Sequence, residues 1–167
     1  DVCLMLAMWM CHHLFHENIT FLKLNDLNFI ASHHGTYPSM VIFTALMILV
    51  AAAAKSAMLP FSSWLPRAME GPTVSSAVFY GSLSVHVGAF LLLRTYPLWQ
   101  EINSIKILIA SLGLLTSIIA ATIAKVQSTV KTQIAYASIT QIGLIFLEIA
   151  LGFHTLALVH FAGNALL

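Results

Sequence analysis

Charge is scarce in this chain of 167 residues: seven Lys and Arg and six Asp and Glu make up 8% of it, against roughly 25% in an ordinary soluble domain. So few charged side chains cannot clothe a particle of 18.2 kDa in water, which excludes a soluble globule and leaves a lipid bilayer as its main solvent. The basic residues stand singly along the chain, so there is no electrostatic footprint for nucleic acid. Cysteine is nearly absent. Cys3 and Cys11 share the first apolar stretch at a spacing that matches neither a disulfide framework nor a zinc site. No glycine-rich phosphate loop or cofactor-ligand motif is present, so no cofactor is expected. His12, His13 and His16 followed by Glu17 could ligate a metal in principle, but the pattern fixes no third ligand. Interfacial histidines are the preferred reading, and no metal site is expected.

What fills the chain is apolar. Hydrophobic residues make up 59% of it, and mean hydropathy is +0.91. Residues 27–54, 71–93, 107–124, 132–147 and 149–167 contain no charged side chain, and a spanning helix needs about 20 such residues. Complete spans are predicted from about Ser39 to Leu59, Thr73 to Tyr96, Ile102 to Ala124 and Thr132 to Leu151. Two truncated spans precede and follow them, one to about Phe15 and one from about Thr155. Lipid offers the backbone no hydrogen-bond partner, so each span is a helix or part of a closed barrel. Long Leu, Ile and Ala runs without alternation exclude the barrel. The fold class is therefore all-α, a polytopic transmembrane helix bundle. Residues 1–167 form a single transmembrane domain that begins and stops inside apolar runs, as an interior piece of a longer chain does. Residues 17–38, with Glu17, Lys23, Asp26 and Pro38, read as a wet connection. Lys and Arg number three on one set of alternate connections and four on the other, too even a division to orient the chain.

The informative residues are polar groups within this apolar background. Lys55 follows Ala51 to Ala54 and precedes Pro60 and Pro66. An ammonium at the bilayer centre costs about 2.5 to 3.5 kcal/mol on insertion scales, so it faces the bundle or water. The prolines remove backbone donors, so a broken helix is expected near Lys55–Pro60, with freed carbonyls beside the cation. A lysine snorkelling from a helix end is an equal alternative. Pro72 and Thr73 open the next helix. On that helix Ser75, Ser82 and His86 share one face, and Ser76, Tyr80 and Ser84 an adjoining one. His86 is either a proton carrier titrating near neutrality or a neutral imidazole bonded to a neighbouring helix. Glu148 lies in the fifth apolar stretch, where a carboxylate is a functional candidate by default. The bland alternative places it at a helix end, reaching water beside His154. His160 and Asn164 follow at i, i+4 on one face. Lys55, His86, Lys131, Glu148 and His160 thus supply titratable groups from most of the helices, the material from which a water-bridged proton path is made.

Two blocks carry a family likeness. Ala54-Lys55-Ser56-Ala57-Met58-Leu59-Pro60-Phe61-Ser62-Ser63-Trp64-Leu65-Pro66-Arg67-Ala68-Met69-Glu70-Gly71-Pro72-Thr73 resembles the signature of the antiporter-like subunits of respiratory complex I, especially the subunit L or mitochondrial subunit 5 type, and of Mrp-type cation/proton antiporters. Val126-Gln127 through Lys131, with Ala135 to Gly143, resembles a second block of that family in the right order. The resemblance covers about residues 39–167. It implies that Lys55 matches the family's mid-membrane lysine on a broken helix, Lys131 its next channel lysine and His160 a channel histidine. Tyr80 and Asn164 stand where the family commonly has histidines, and Ala54 where it has glycine. These departures suggest a divergent branch, with His86 as a substitute imidazole.

Three functions follow from the resemblance. The first is proton or cation translocation by an antiporter-like subunit of a complex I-like or Mrp-like assembly. The second is the membrane subunit of a proton-linked inorganic-carbon transport system. The third is a structural membrane subunit that no longer conducts. The implied partners are other membrane subunits, the lipid bilayer and a soluble catalytic partner. The implied location is a multi-pass position in the bacterial inner membrane or another energy-transducing membrane. With no redox ligand in the chain, any oxidoreductase activity would belong to the complex.

Overall fold

A computed structural model describes residues 1–15, 20, 38–76 and 84–166, with only the backbone of Ser75. Tyr80, Ser82 and most of the 17–38 connection, with His16 and Glu17, lie outside the described residues. The described chain is an all-α membrane bundle with no strand. Its longer helices are α1 (Val2–Phe15), α2 (Pro38–Lys55), α3 (His86–Arg94), α4 (Asn103–Ala124), α5 (Val130–Ala150) and α6 (His154–Leu166). Short helical pieces cover Trp64–Ala68, Thr73–Ser75 and Tyr96–Trp99. Among the described residues α2, α4 and α5 are long and apolar enough to cross a membrane. The span expected over 73–96 is described only at its two ends.

Helix α2 opens on Pro38, whose fixed φ and missing N–H suit a first helical position. It stops at Lys55, four residues before the expected Leu59. The stop is a backbone device: Met58 N donates to Ala53 O at 2.9 Å and Ala57 N to Ala54 O at 3.4 Å, while Ala57 turns left-handed at φ 53°. That pattern closes a helix and uses its last carbonyls, and it usually employs glycine at the left-handed position. Pro60 lies beyond the stop, after a cis Leu59–Pro60 bond. Pro66 sits in the first turn of Trp64–Ala68, where its missing N–H costs nothing. Pro72 precedes the turn Thr73–Ser75, and its carbonyl accepts from Ser76 N at 3.0 Å.

Helix α5 starts behind Thr129, whose hydroxyl accepts from Thr132 N at 3.3 Å and satisfies one of the unpaired donors of the first turn. It ends as α2 does: Phe153 N donates to Glu148 O at 3.0 Å and Gly152 N to Ile149 O at 3.1 Å, with Gly152 at φ 86°.

Helices α4 and α5 form the largest interface. In lipid the removal of apolar surface drives little association, so small residues that let backbones touch decide where helices meet. Gly113 and Gly143 mark that place: a Cβ on Gly113 would lie 2.6 Å from Gly143 O, and one on Gly143 2.7 Å from Gly113 O. Gly88 of α3 does the same against α2, where a Cβ would collide with Ala52 O and Ser56 Oγ. Around these contacts Ile139, Ile142, Ile145 and Phe146 of α5 are fully buried, as are Met58, Leu65, Leu98 and Ile109. Ile107, Leu115 and Ile118 of α4 point outward, as residues do whose solvent is lipid.

Candidate functional site

Lys55 is the last residue of α2, a favourable end for a cation because the helix dipole is negative there. Several bonds hold the chain around it. Trp64 Nε1 donates to Ala54 O at 3.0 Å. Ser56 Oγ donates to Val85 O at 2.6 Å, just before α3. Leu59 N donates to Thr116 Oγ1 at 3.3 Å, and that hydroxyl passes its own hydrogen to Leu112 O at 2.7 Å. The break is thus tied to α3 and α4. Lys55 Nζ lies 3.0 Å from Asp1 Oδ1, an ion pair whose side chains remain 56% and 84% exposed. A cavity of about 420 Å³ opens beside the pair, walled mainly by Leu4, Val50, Ala51, Phe61, Phe90 and Leu91. Asp1 was not singled out in the sequence. The signal was present in a lone carboxylate at the head of an otherwise uncharged stretch.

A second cluster joins α5 and α6. His160 Nδ1 lies 2.9 Å from Glu148 Oε1, and His160 Nε2 lies 2.9 Å from Gln141 Oε1. The imidazole is 24% exposed and the carboxylate 18%. Glu148 therefore meets His160 rather than His154, whose ring instead packs edge-on against Tyr96 with centroids 4.1 Å apart. One turn further along α6, Asn164 Nδ2 donates to His86 Nε2 at 3.1 Å, and the nitrogen that receives this bond carries no proton. His86 is 1% exposed, and its ring stands edge-on to Phe161 with centroids 4.8 Å apart. The i, i+4 spacing of His160 and Asn164 explains both contacts: one face of α6 meets Glu148 of α5 and His86 of α3. The role of Gln141 as the second partner of His160 was also not read from the sequence, because a seven-residue spacing from Glu148 gains meaning only once α6 lies across it.

Lys131 occupies the first turn of α5. Its Nζ donates to Gly71 O at 2.9 Å, which ties the start of α5 to the connection before Pro72. Among the described residues it forms no ion pair with Glu148 or Asp1. The structure thus gathers Glu148 of α5 and His86 of α3 against the face of α6 that carries His160 and Asn164, and leaves Lys55 and Lys131 on contacts of their own. Tyr80 lies outside the described residues. Among the described residues no three His, Cys, Asp or Glu side chains converge as a metal site.

The chain is similar to several proteins named NAD(P)H-quinone oxidoreductase subunit 5, chloroplastic. It is 39% identical to that of Buxus microphylla over 125 residues, 75% of this chain and 17% of the relative. It is 35% identical to that of Mesostigma viride over 136 residues, 81% and 21% of the two, and 34% identical to that of Physcomitrium patens over 151 residues, 90% and 21%. The chain spans about a fifth of the length of these curated relatives. Across its whole length, residues 1–167, it matches the family described as NADH:quinone oxidoreductase/Mrp antiporter, TM, and it belongs to that family of complex I antiporter-like membrane subunits.

Proposed function

We propose that this chain is the central part of an antiporter-like subunit that moves protons, or another small cation, across an energy-transducing membrane. The observation that carries the reading is Lys55: a cation at the break of an apolar helix, with the carboxylate of Asp1, just ahead of α1, 3.0 Å away. Such a pair can open and re-form as a proton passes, because its side chains are 56% and 84% exposed and an exposed ion pair is only weakly held. Lys131, Glu148, His160 and His86 extend the path as further titratable groups, with Tyr80 as a member outside the described residues. His86 takes the place of the imidazole that Asn164 lacks, and the 3.1 Å contact between the two supports this exchange of roles.

Residues 1–167 act within one transmembrane domain of a longer chain, whose partners are other membrane subunits, the surrounding lipid and a soluble catalytic unit. The relatives are chloroplastic by name, which favours a plastid energy-transducing membrane over a bacterial inner membrane. None of those names points to inorganic-carbon transport. Lys55→Met in the full-length protein, reconstituted in vesicles with its partner subunits, tests the reading. Proton flux falls at least about tenfold, as loss of one essential charge group requires. Unchanged flux would instead leave the subunit a structural one.

A further inference from the structure

The two nitrogens of His160 meet different chemistry. Nδ1 faces a carboxylate oxygen and Nε2 an amide oxygen, each at 2.9 Å. Glu148 and Gln141 lie seven residues, about two turns, apart on one face of α5, so the ring of His160 is held between them as α6 crosses. A carboxylate accepts a proton and returns it. An amide oxygen accepts a hydrogen bond but takes no proton near neutral pH.

We propose that Gln141 is a positioning residue that keeps a proton on His160 Nε2, so that this imidazole exchanges protons only through Nδ1 and Glu148. The inference rests on the translocation reading above and specifies which route it uses at α6. In the exchange, the Nδ1–H bond breaks as an O–H bond forms at Glu148 Oε1, turning imidazolium and carboxylate into imidazole and carboxylic acid with the charge of the pair unchanged. The carboxyl group then rotates to turn its Oε1–H away from His160, that O–H bond breaks as the proton passes to water, the carboxylate is regained, and the reverse sequence reloads the pair. Oε2 accepts no hydrogen bond among the described residues, so no competing donor holds the carboxyl group against that rotation. The group in hydrogen-bond contact with the pair is Gln141 from α5, and the next titratable group along α6 is His86 from α3, bonded to Asn164 and edge-on to Phe161. Nε2 is then a closed end, and the path cannot run through His160 from one nitrogen to the other.

The test is nitrogen NMR of ring-labelled histidine in the full-length protein in lipid vesicles, with the His160 signals assigned by their loss in His160→Gln. In the unaltered protein near neutral pH, Nε2 carries the shift of a protonated nitrogen. In Gln141→Ala, the fraction of rings with a bare Nε2 rises about fivefold, the population change expected when one ordinary hydrogen bond is lost. Gln141→Met, which keeps the length without the oxygen, gives the same rise if the alanine variant fails to fold. A bare Nε2 in the unaltered protein, or spectra of both Gln141 variants identical to it, overturns the proposal. The spectra do not depend on flux. Unchanged flux in Lys55→Met with the histidine pattern intact removes translocation and leaves the clamp, whereas reduced flux with a bare Nε2 removes the clamp alone.

Discussion

Helices α2 and α5 end on the same backbone device with opposite charges. In each, the residue beyond the cap turns left-handed and two N–H groups close back on the last turn. At α2 the charge is Lys55, and the negative end of the helix dipole favours a cation by about 0.3 to 1 kcal/mol. At α5 the charge is Glu148, which the same end of the dipole repels. Lys55 is compatible with its place unaided, and its pairing with Asp1 is open to solvent. Glu148 is largely buried and depends on His160. A shared fold element thus creates a tolerant site in one place and a demanding one in another, and the sign of one side chain makes the difference.

Removing the partner at each end breaks the comparison most sharply. His160→Ala leaves a buried carboxylate facing helix carbonyls and costs about 3 kcal/mol of stability, read as a fall in unfolding midpoint in detergent micelles. Asp1→Asn, at the other end, costs less than about 1 kcal/mol, as exposed pairs do, and that small loss disappears in high salt. Equal costs for the two variants would show that burial does not separate the sites.

The left-handed residues offer a second contrast. Gly152→Ala places a Cβ at φ 86° and costs about 1 to 2 kcal/mol. Ala57→Gly relieves the corresponding strain but empties a buried methyl site worth about 0.8 kcal/mol, so its midpoint stays within about 1 kcal/mol of the parent. A smaller effect sharpens the α2 end alone. Trp64→Phe removes the indole donor from Ala54 O and costs about 1 kcal/mol, seen as faster amide exchange over the last turn of α2.

Much of this could be read before the fold was known. Runs without charge placed α2, α4 and α5 to within a few residues, because lipid tolerates no other backbone than a helix there. Lys55, Glu148 and His86 stood out because each is expensive in such surroundings. The end of α2 was less legible. Proline suggested a break near Pro60, yet the chain stops at Lys55 through a left-handed alanine, a conformation that residue type rarely announces. Partners were least legible of all. His154 is nearer to Glu148 in sequence, but the turn at Gly152 sends α6 back along α5 and delivers His160 instead, while His154 goes to Tyr96.

The amino-acid sequence alone determined the solvent, the helical backbone, the approximate spans and the short roster of groups able to carry charge, since these depend on local composition and on the cost of burying polar atoms in hydrocarbon. Tertiary structure alone decided which of those groups meet: Asp1 with Lys55, Gln141 and Glu148 with His160, Asn164 with His86, Lys131 with a carbonyl. Those meetings depend on where glycines let helices touch and on how each helix is rotated at the crossing, quantities that emerge only when all the packed faces are satisfied together.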